Sequence, residues 1–235
     1  MNVILCGYHW TCCKALQLLI SMNHNVFVFT HEDPYHIPSL IDFCRKLDVP
    51  FSLDNISNAE PPFVPDVVCS IYYRCIIKKH VIESCGEKIF NLHPALLPKY
   101  RGCSSVPWAM INGENEVGFT YHYIDEGCDT GDIILQQRLS VEEFDTQETL
   151  FMRIMFESMK QFPKVFEHVS RGLQGQKQEG ESSYYSQGCP HNGQIDPSWD
   201  EAYKERFIRA MIYPPYPVAK LGEKVIYSIR NLDNG

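Results

Sequence analysis

A chain of 235 residues with a formal charge of −8, 44% hydrophobic and 21% charged residues, has the make-up of a globular protein with one core, or a core and an appendage. The acidic balance excludes a protein built to neutralise nucleic-acid phosphates, and no apolar stretch is long enough to span a bilayer. The ten cysteines are scattered without a Cys-x-x-Cys pair, and the run Met1–Gly7 lacks the basic lead and length of a secretory signal, so reduced thiols in a cytoplasmic protein are expected, with no metal site.

Along the chain, Asn2–Gly7 reads as a strand ending in glycine, Thr11–Met22 as a helix and Val26–Thr30 as a second strand. This is the β-α-β opening of a doubly wound α/β fold. The turn Gly7-Tyr8-His9-Trp10 lacks the Gly-x-Gly-x-x-Gly pattern, which disfavours a dinucleotide cofactor. Ser39–Leu47 predicts another helix, and Pro61, Pro62 and Pro65 an extended lead into a strand at Val67–Ile71. Phe90–His93 ends a further strand. Ser104–Asn112 has serine at its start, Pro107 in its first turn and Gly113 behind it, a helix pattern. Val117–Tyr123 alternates as a half-buried strand does, and Ile133–Leu139 is the next strand.

Asp145-Thr-Gln-Glu148 has the form of a capping box opening a long helix to about Val169, which Pro163 is expected to kink. Its Met and Phe stripe reads as packing. Residues 171–193 are rich in Gly, Gln and Ser and predict a loop or short hairpin. A helix near Trp199–Met211, a turn at Tyr213–Pro217 and a terminal strand Lys224–Ile229 complete the chain. A domain at 1–175 with a small extension at 176–235 is expected.

The chemistry concentrates in Lys88–Gly102 and Asp125–Gly131. Asn91 and His93 are two apart at a strand end, so both side chains point to one side. Asp129 lies in a glycine-bracketed loop joining two strands. An amide, an imidazole and a carboxylate meeting in one cleft suit acyl transfer: they can hold a developing oxyanion, move a proton and orient the group that moves it. Singly, each residue reads as a turn former. Together, Asn-Leu-His-Pro-x-Leu-Leu-Pro-x-Tyr-Arg-Gly followed by Asp-x-Gly-x-Asp-Thr-Gly fixes many positions at once.

These segments resemble the formyltransferases that use 10-formyltetrahydrofolate, over about Ser70–Gln136 and more weakly in the first strand and around Gly193–Ala219. Ser70-Ile-Tyr-Tyr-Arg74, Leu97-Pro-Lys-Tyr-Arg-Gly102 and Ile111-Asn-Gly-Glu114 are most similar to the branch acting on nucleotide-linked amino sugars. The resemblance implies a Rossmann-like formyltransferase fold, a mostly parallel sheet flanked by helices with a small C-terminal extension. It implies Asn91, His93 and Asp129 as the catalytic group. The backbones of Cys75-Ile76-Ile77 and of Asp125-Glu126-Gly127-Cys128-Asp129 would read the pterin of 10-formyltetrahydrofolate.

For the amine-bearing partner, a nucleotide-linked deoxy-amino-sugar such as dTDP-4-amino-4,6-dideoxyglucose, cations are needed at the diphosphate. Lys78, Lys99, Arg101 and Arg209 are candidates, with Trp10 for the base. Cys103 stands where a close amino-sugar relative carries arginine. A homodimer and a place in O-antigen synthesis follow from the same likeness. The alternatives are a glycinamide ribonucleotide formyltransferase and a folate- or nucleotide-binding module without turnover.

Overall fold

The opening run Asn2–Gly7 forms β1, in which Val3, Ile4, Leu5 and Cys6 are wholly buried. A strand apolar on both sides must be covered on both faces, which is the lot of a central strand in a doubly wound sheet. The computed structural model describes residues 1–32 and 34–232, so the last three residues of the expected extension lie outside it.

The elements run α1 (His9–Ser21), β2 (Asn25–Phe29), α2 (Leu40–Leu47), β3 (Phe51–Ser52), β4 (Val67–Ile71), α3 (Lys79–Ser84) and β5 (Ile89–His93). Then follow β6 (Arg101–Gly102), α4 (Ser105–Ile111), β7 (Glu116–Tyr123), β8 (Ile133–Ser140), α5 (Gln147–Ser170), β9 (Tyr184–Tyr185), α6 (Glu201–Ala210), β10 (Lys220–Leu221) and β11 (Lys224–Val225).

Among the described residues, seven strands form one sheet in the order β3-β2-β1-β4-β5-β7-β8. β3, β2, β1, β4 and β5 are parallel, and β7 runs antiparallel to β5. The chain winds outward from β1 to β3 and returns to β4, so β1 and β4 flank the switch point, where ligands bind beyond the strands' carboxyl ends in open α/β sheets. Gly7 makes that junction possible. It sits at φ 154°, and a Cβ there would fall 1.9 Å from the Ile71 carbonyl oxygen.

By packing, the chain divides into two units: Met1–His93 with Thr120–Gln136 and Phe156–Gln178, and Pro94–Phe119 with Gln137–Met155 and the residues from Glu179 onward. In the first, Ile4, Cys6, Phe29, Val68 and Ile89 of the sheet pack with Ile77, Val81 and Ile82. Each such side chain contributes about 1.5–3 kcal/mol on burial. In the second, α4 packs on α6, and the Arg206 Nε donates to the Ile111 carbonyl at 3.0 Å. There the Tyr185 ring stacks between Tyr100 (5.5 Å) and Trp108 (4.9 Å).

Several local expectations need correction. The box at the start of α5 is made by Thr146 and Thr149, each hydroxyl accepting the other's backbone N–H (3.3 and 2.9 Å). Asp145 is instead wholly buried, accepting from the Glu142 N–H and the Thr149 hydroxyl and pairing with Arg153. A buried carboxylate needs a cation and N–H donors more than a frayed helix end needs a cap. α5 runs on through Pro163 without a break. The stretch 171–193 holds β9, which pairs in parallel with β6, a long-range pairing that no local pattern announces. The terminal strand shrinks to β11, because Ser228 accepts from the Arg230 N–H and turns the chain into a short 3-10 helix.

Candidate active site

β5 delivers Asn91 and His93 to one side of the sheet, and the antiparallel partner β7 sets His122 opposite Asn91 and Thr120 opposite His93. Residues facing each other across such a ladder have Cβ atoms about 4.5–5.5 Å apart, so four polar side chains gather on one patch. The alternating face of β7, with Val117, Phe119 and Tyr121 buried, belongs to the core.

Asn91 is held at both ends of its amide. The Ser70 hydroxyl on β4 donates to Oδ1 at 2.8 Å, and Nδ2 lies 3.3 Å from the Nε2 of His122. His122 Nδ1 lies 2.7 Å from the Tyr123 carbonyl oxygen, which can only accept. Nδ1 therefore carries the proton, and the neutral ring offers a bare Nε2 to the Asn91 amide. One N–H of that amide is spoken for, and the second is left to face a ligand.

Asp129 reaches this cluster from the β7–β8 loop at φ 55°. Its Oδ2 lies 3.6 Å from His93 Nδ1 and its Oδ1 3.4 Å from His122 Nε2. The three side chains are 12%, 5% and 3% exposed respectively, so the charge is felt little screened by water. With Nδ1 turned to the carboxylate, His93 presents Nε2 on its other side. A carboxylate beside imidazole favours the protonated ring.

The loop is pinned from several directions. Asp125 Oδ1 accepts from the Gly127 N–H (3.0 Å) and the Thr130 hydroxyl (2.6 Å), making an Asx turn. Gln178 Nε2 donates to the carbonyls of Asp129 and Gly131, both at 2.8 Å. Gly131 permits close passage: a Cβ there would sit 1.9 Å from the Tyr123 carbonyl oxygen.

The two stretches expected to read a pterin flank one another. Lys79, first in α3, pairs with Glu126 at 2.7 Å. Ile77 is buried, Ile76 is 86% exposed and Cys75 lies between. Cys128 is exposed, its thiol 3.7 Å from Asp129 Oδ2.

The expected sugar-nucleotide residues divide. Trp10 packs on Phe156 at 4.6 Å. Lys78 caps α3, its N–H donating to Ser57. Lys99 pairs with Glu114 at 3.3 Å. Arg209 donates to the Asp145 carbonyl (2.8 Å) and to Glu205 (3.2 Å), a structural assignment. Arg101 lies in β6 opposite Tyr184. Sequence reasoning passed over His122, Ser70 and Gln178. For His122 a signal existed: a histidine on the off-face of an alternating strand has no place in the core that strand covers.

A formyl transferase domain is matched over residues 20–166. The GDP-perosamine N-formyltransferases of Brucella melitensis biotype 1 and Brucella abortus are each 39% identical over 96% of this chain and 91% of their own. Two solved structures share the fold. One is a sugar 3N-formyltransferase in the presence of dTDP and 5-N-formyl-THF (TM-score 0.84, 23% identity, 97% of this chain and 85% of that one). The other is an N-formyltransferase from Helicobacter canadensis with folinic acid and dTDP-3-aminofucose (TM-score 0.80, 22% identity, 96% and 86%). The chain belongs to the formyl transferase family.

Proposed function

We propose that this protein moves the formyl group of 10-formyltetrahydrofolate to the amino group of a nucleotide-linked amino sugar. The observation that carries the reading is the Asn91 amide, fixed by Ser70 and His122 with one N–H to spare, within a cluster that also holds His93 and Asp129. Bound folate supplies an activated formyl carbon, and the backbones of 75–77 and 125–129 are the residues that would hold its ring.

The free Asn91 N–H donates to the formyl oxygen as charge gathers there, a contribution of roughly 3–4 kcal/mol at comparable sites. His93, paired through Nδ1 with Asp129, presents Nε2 to the reacting atoms. There it holds the proton that the attacking amine loses and the folate nitrogen gains. The balance is simple: one C–N bond forms, one breaks, and one proton crosses from the sugar amine to the folate nitrogen.

The sequence resemblance favours dTDP-4-amino-4,6-dideoxyglucose as acceptor, whereas the Brucella relatives are named for GDP-perosamine. An assay with 10-formyltetrahydrofolate and each of these sugars, with glycinamide ribonucleotide as a third acceptor, decides among them. Expected is tetrahydrofolate release with a nucleotide sugar, whose mass rises by one carbonyl unit. Turnover with glycinamide ribonucleotide alone, or with none, refutes the proposal. The same likeness supports a homodimer working in surface-polysaccharide synthesis, for which sedimentation is the first check.

A further inference from the structure

At the switch point, beyond the carboxyl ends of β2, β1 and β4, a cation and several rings form a cluster that the formyl-transfer chemistry does not use. The Arg74 guanidinium lies 4.2 Å from the ring centroid of Tyr8. His31 stacks on Tyr73 (5.5 Å, 28°) and tilts against Tyr8 (5.1 Å). Its Nε2 is buried without a hydrogen-bond partner among the described residues. Arg74 makes no salt bridge among those residues. A guanidinium resting on an aromatic face is positioned without being neutralised, and its N–H edge stays open for a doubly bonded oxyanion.

We infer that Arg74, shelved on Tyr8 with His31 beside it, is the seat of the sugar nucleotide's diphosphate. The inference rests on the function proposed above and deepens it. The placement suits the reaction: β4 is hydrogen-bonded to β5, and Ser70 of β4 already holds Asn91. Strands lie about 4.8 Å apart, so an anion at the end of β4 or β1 leaves roughly one sugar ring between itself and His93. Burial and the Arg74 charge keep His31 neutral down to a pKa of about 4, so it serves as a neutral hydrogen-bonding group while arginine carries the charge. Phosphate oxygens and the glutamate carboxylates of folate share this chemistry, and the experiment must separate them.

Calorimetric titration of the full chain with GDP, dTDP, inorganic pyrophosphate and 5-formyltetrahydrofolate does so. Arg74→Ala should weaken whichever nucleoside diphosphate the wild type binds by roughly 10- to 100-fold, and pyrophosphate likewise, as expected for one charge-assisted bidentate contact. Arg74→Lys should keep part of that affinity, and folate affinity should stay within about twofold with an unchanged melting temperature. Nucleotide affinity within about threefold of wild type in Arg74→Ala overturns the assignment while leaving the sugar-nucleotide reading intact. Loss of folate affinity alone overturns it too, by placing Arg74 at the folate carboxylates. A wild type that binds no nucleoside diphosphate overturns both readings.

Discussion

Replacing His122 with alanine isolates what orders the candidate site, because that ring touches both Asn91 and Asp129 without being needed at the reacting carbon. The change removes the acceptor 3.3 Å from Asn91 Nδ2 and the partner 3.4 Å from Asp129 Oδ1. A neutral hydrogen bond is worth about 1 kcal/mol and one to a charged group about 1.5–3 kcal/mol. Ser70 still holds Oδ1 from its side, so the amide keeps one anchor. Together these place the loss of transition-state stabilisation at about 2–3 kcal/mol, or roughly 30- to 150-fold in kcat. KM for folate should move little, since the ring is 3% exposed. Single-turnover formyl transfer, with unfolding followed in parallel, reads this directly. His122→Gln gives the finer test, because a glutamine oxygen can stand where Nε2 accepts from Asn91 but cannot become a cation. Recovery to within about fivefold of wild type assigns the ring to orienting the amide; no recovery assigns it to Asp129. A kcat within about threefold of wild type in the alanine variant refutes the reasoning.

Asn91→Ala should lower kcat by roughly 10²–10³, and His93→Ala should nearly abolish turnover while leaving the melting temperature in place; near-normal kcat in either removes that residue from the chemistry. Gly131→Ala forces a Cβ to within 1.9 Å of the Tyr123 carbonyl oxygen, so a stability loss of about 1–3 kcal/mol is expected, with a larger fall in kcat because Asp129 rides on that loop; unchanged denaturation and turnover would contradict it. His9 is buried, and desolvation, with His36 adding, holds its pKa at about 4 against the ordinary 6.5. The unfolded chain takes up that proton first, so the stability is present above pH 6.5 and is lost as pH falls toward 4, by about 2 kcal/mol between pH 7 and pH 5. In denaturant titrations at those two values His9→Gln should lose that much less than wild type, and equal losses would reject the assignment.

Much of this was legible in the sequence, and for identifiable reasons. β1, β4 and β7 announced themselves because burial on one or both faces imposes its period on the residues. Asn91 and His93 were legible as a same-side pair from spacing alone. His122 was not, since its role depends on β7 running antiparallel beside β5, a choice of neighbour that local pattern does not record. The pairing of β6 with β9 and the Gln178 staple were hidden for the same reason, because both join segments far apart in the chain. Arg209 and Lys99 misled in the other direction: a cation in the sequence advertises its charge, and only packing tells whether a carboxylate or carbonyl has already claimed it.

The facing of Asn91 by His122 also constrains how the gene can change length. Losing one codon within β7 would rotate every later side chain by half a turn, carrying Tyr121 to where the imidazole had been while a ribbon of the same breadth survived. Such a protein would fold and do nothing. Added or missing residues among living relatives should therefore gather in the connections before Glu116 and after Tyr123, leaving the span between them at constant length.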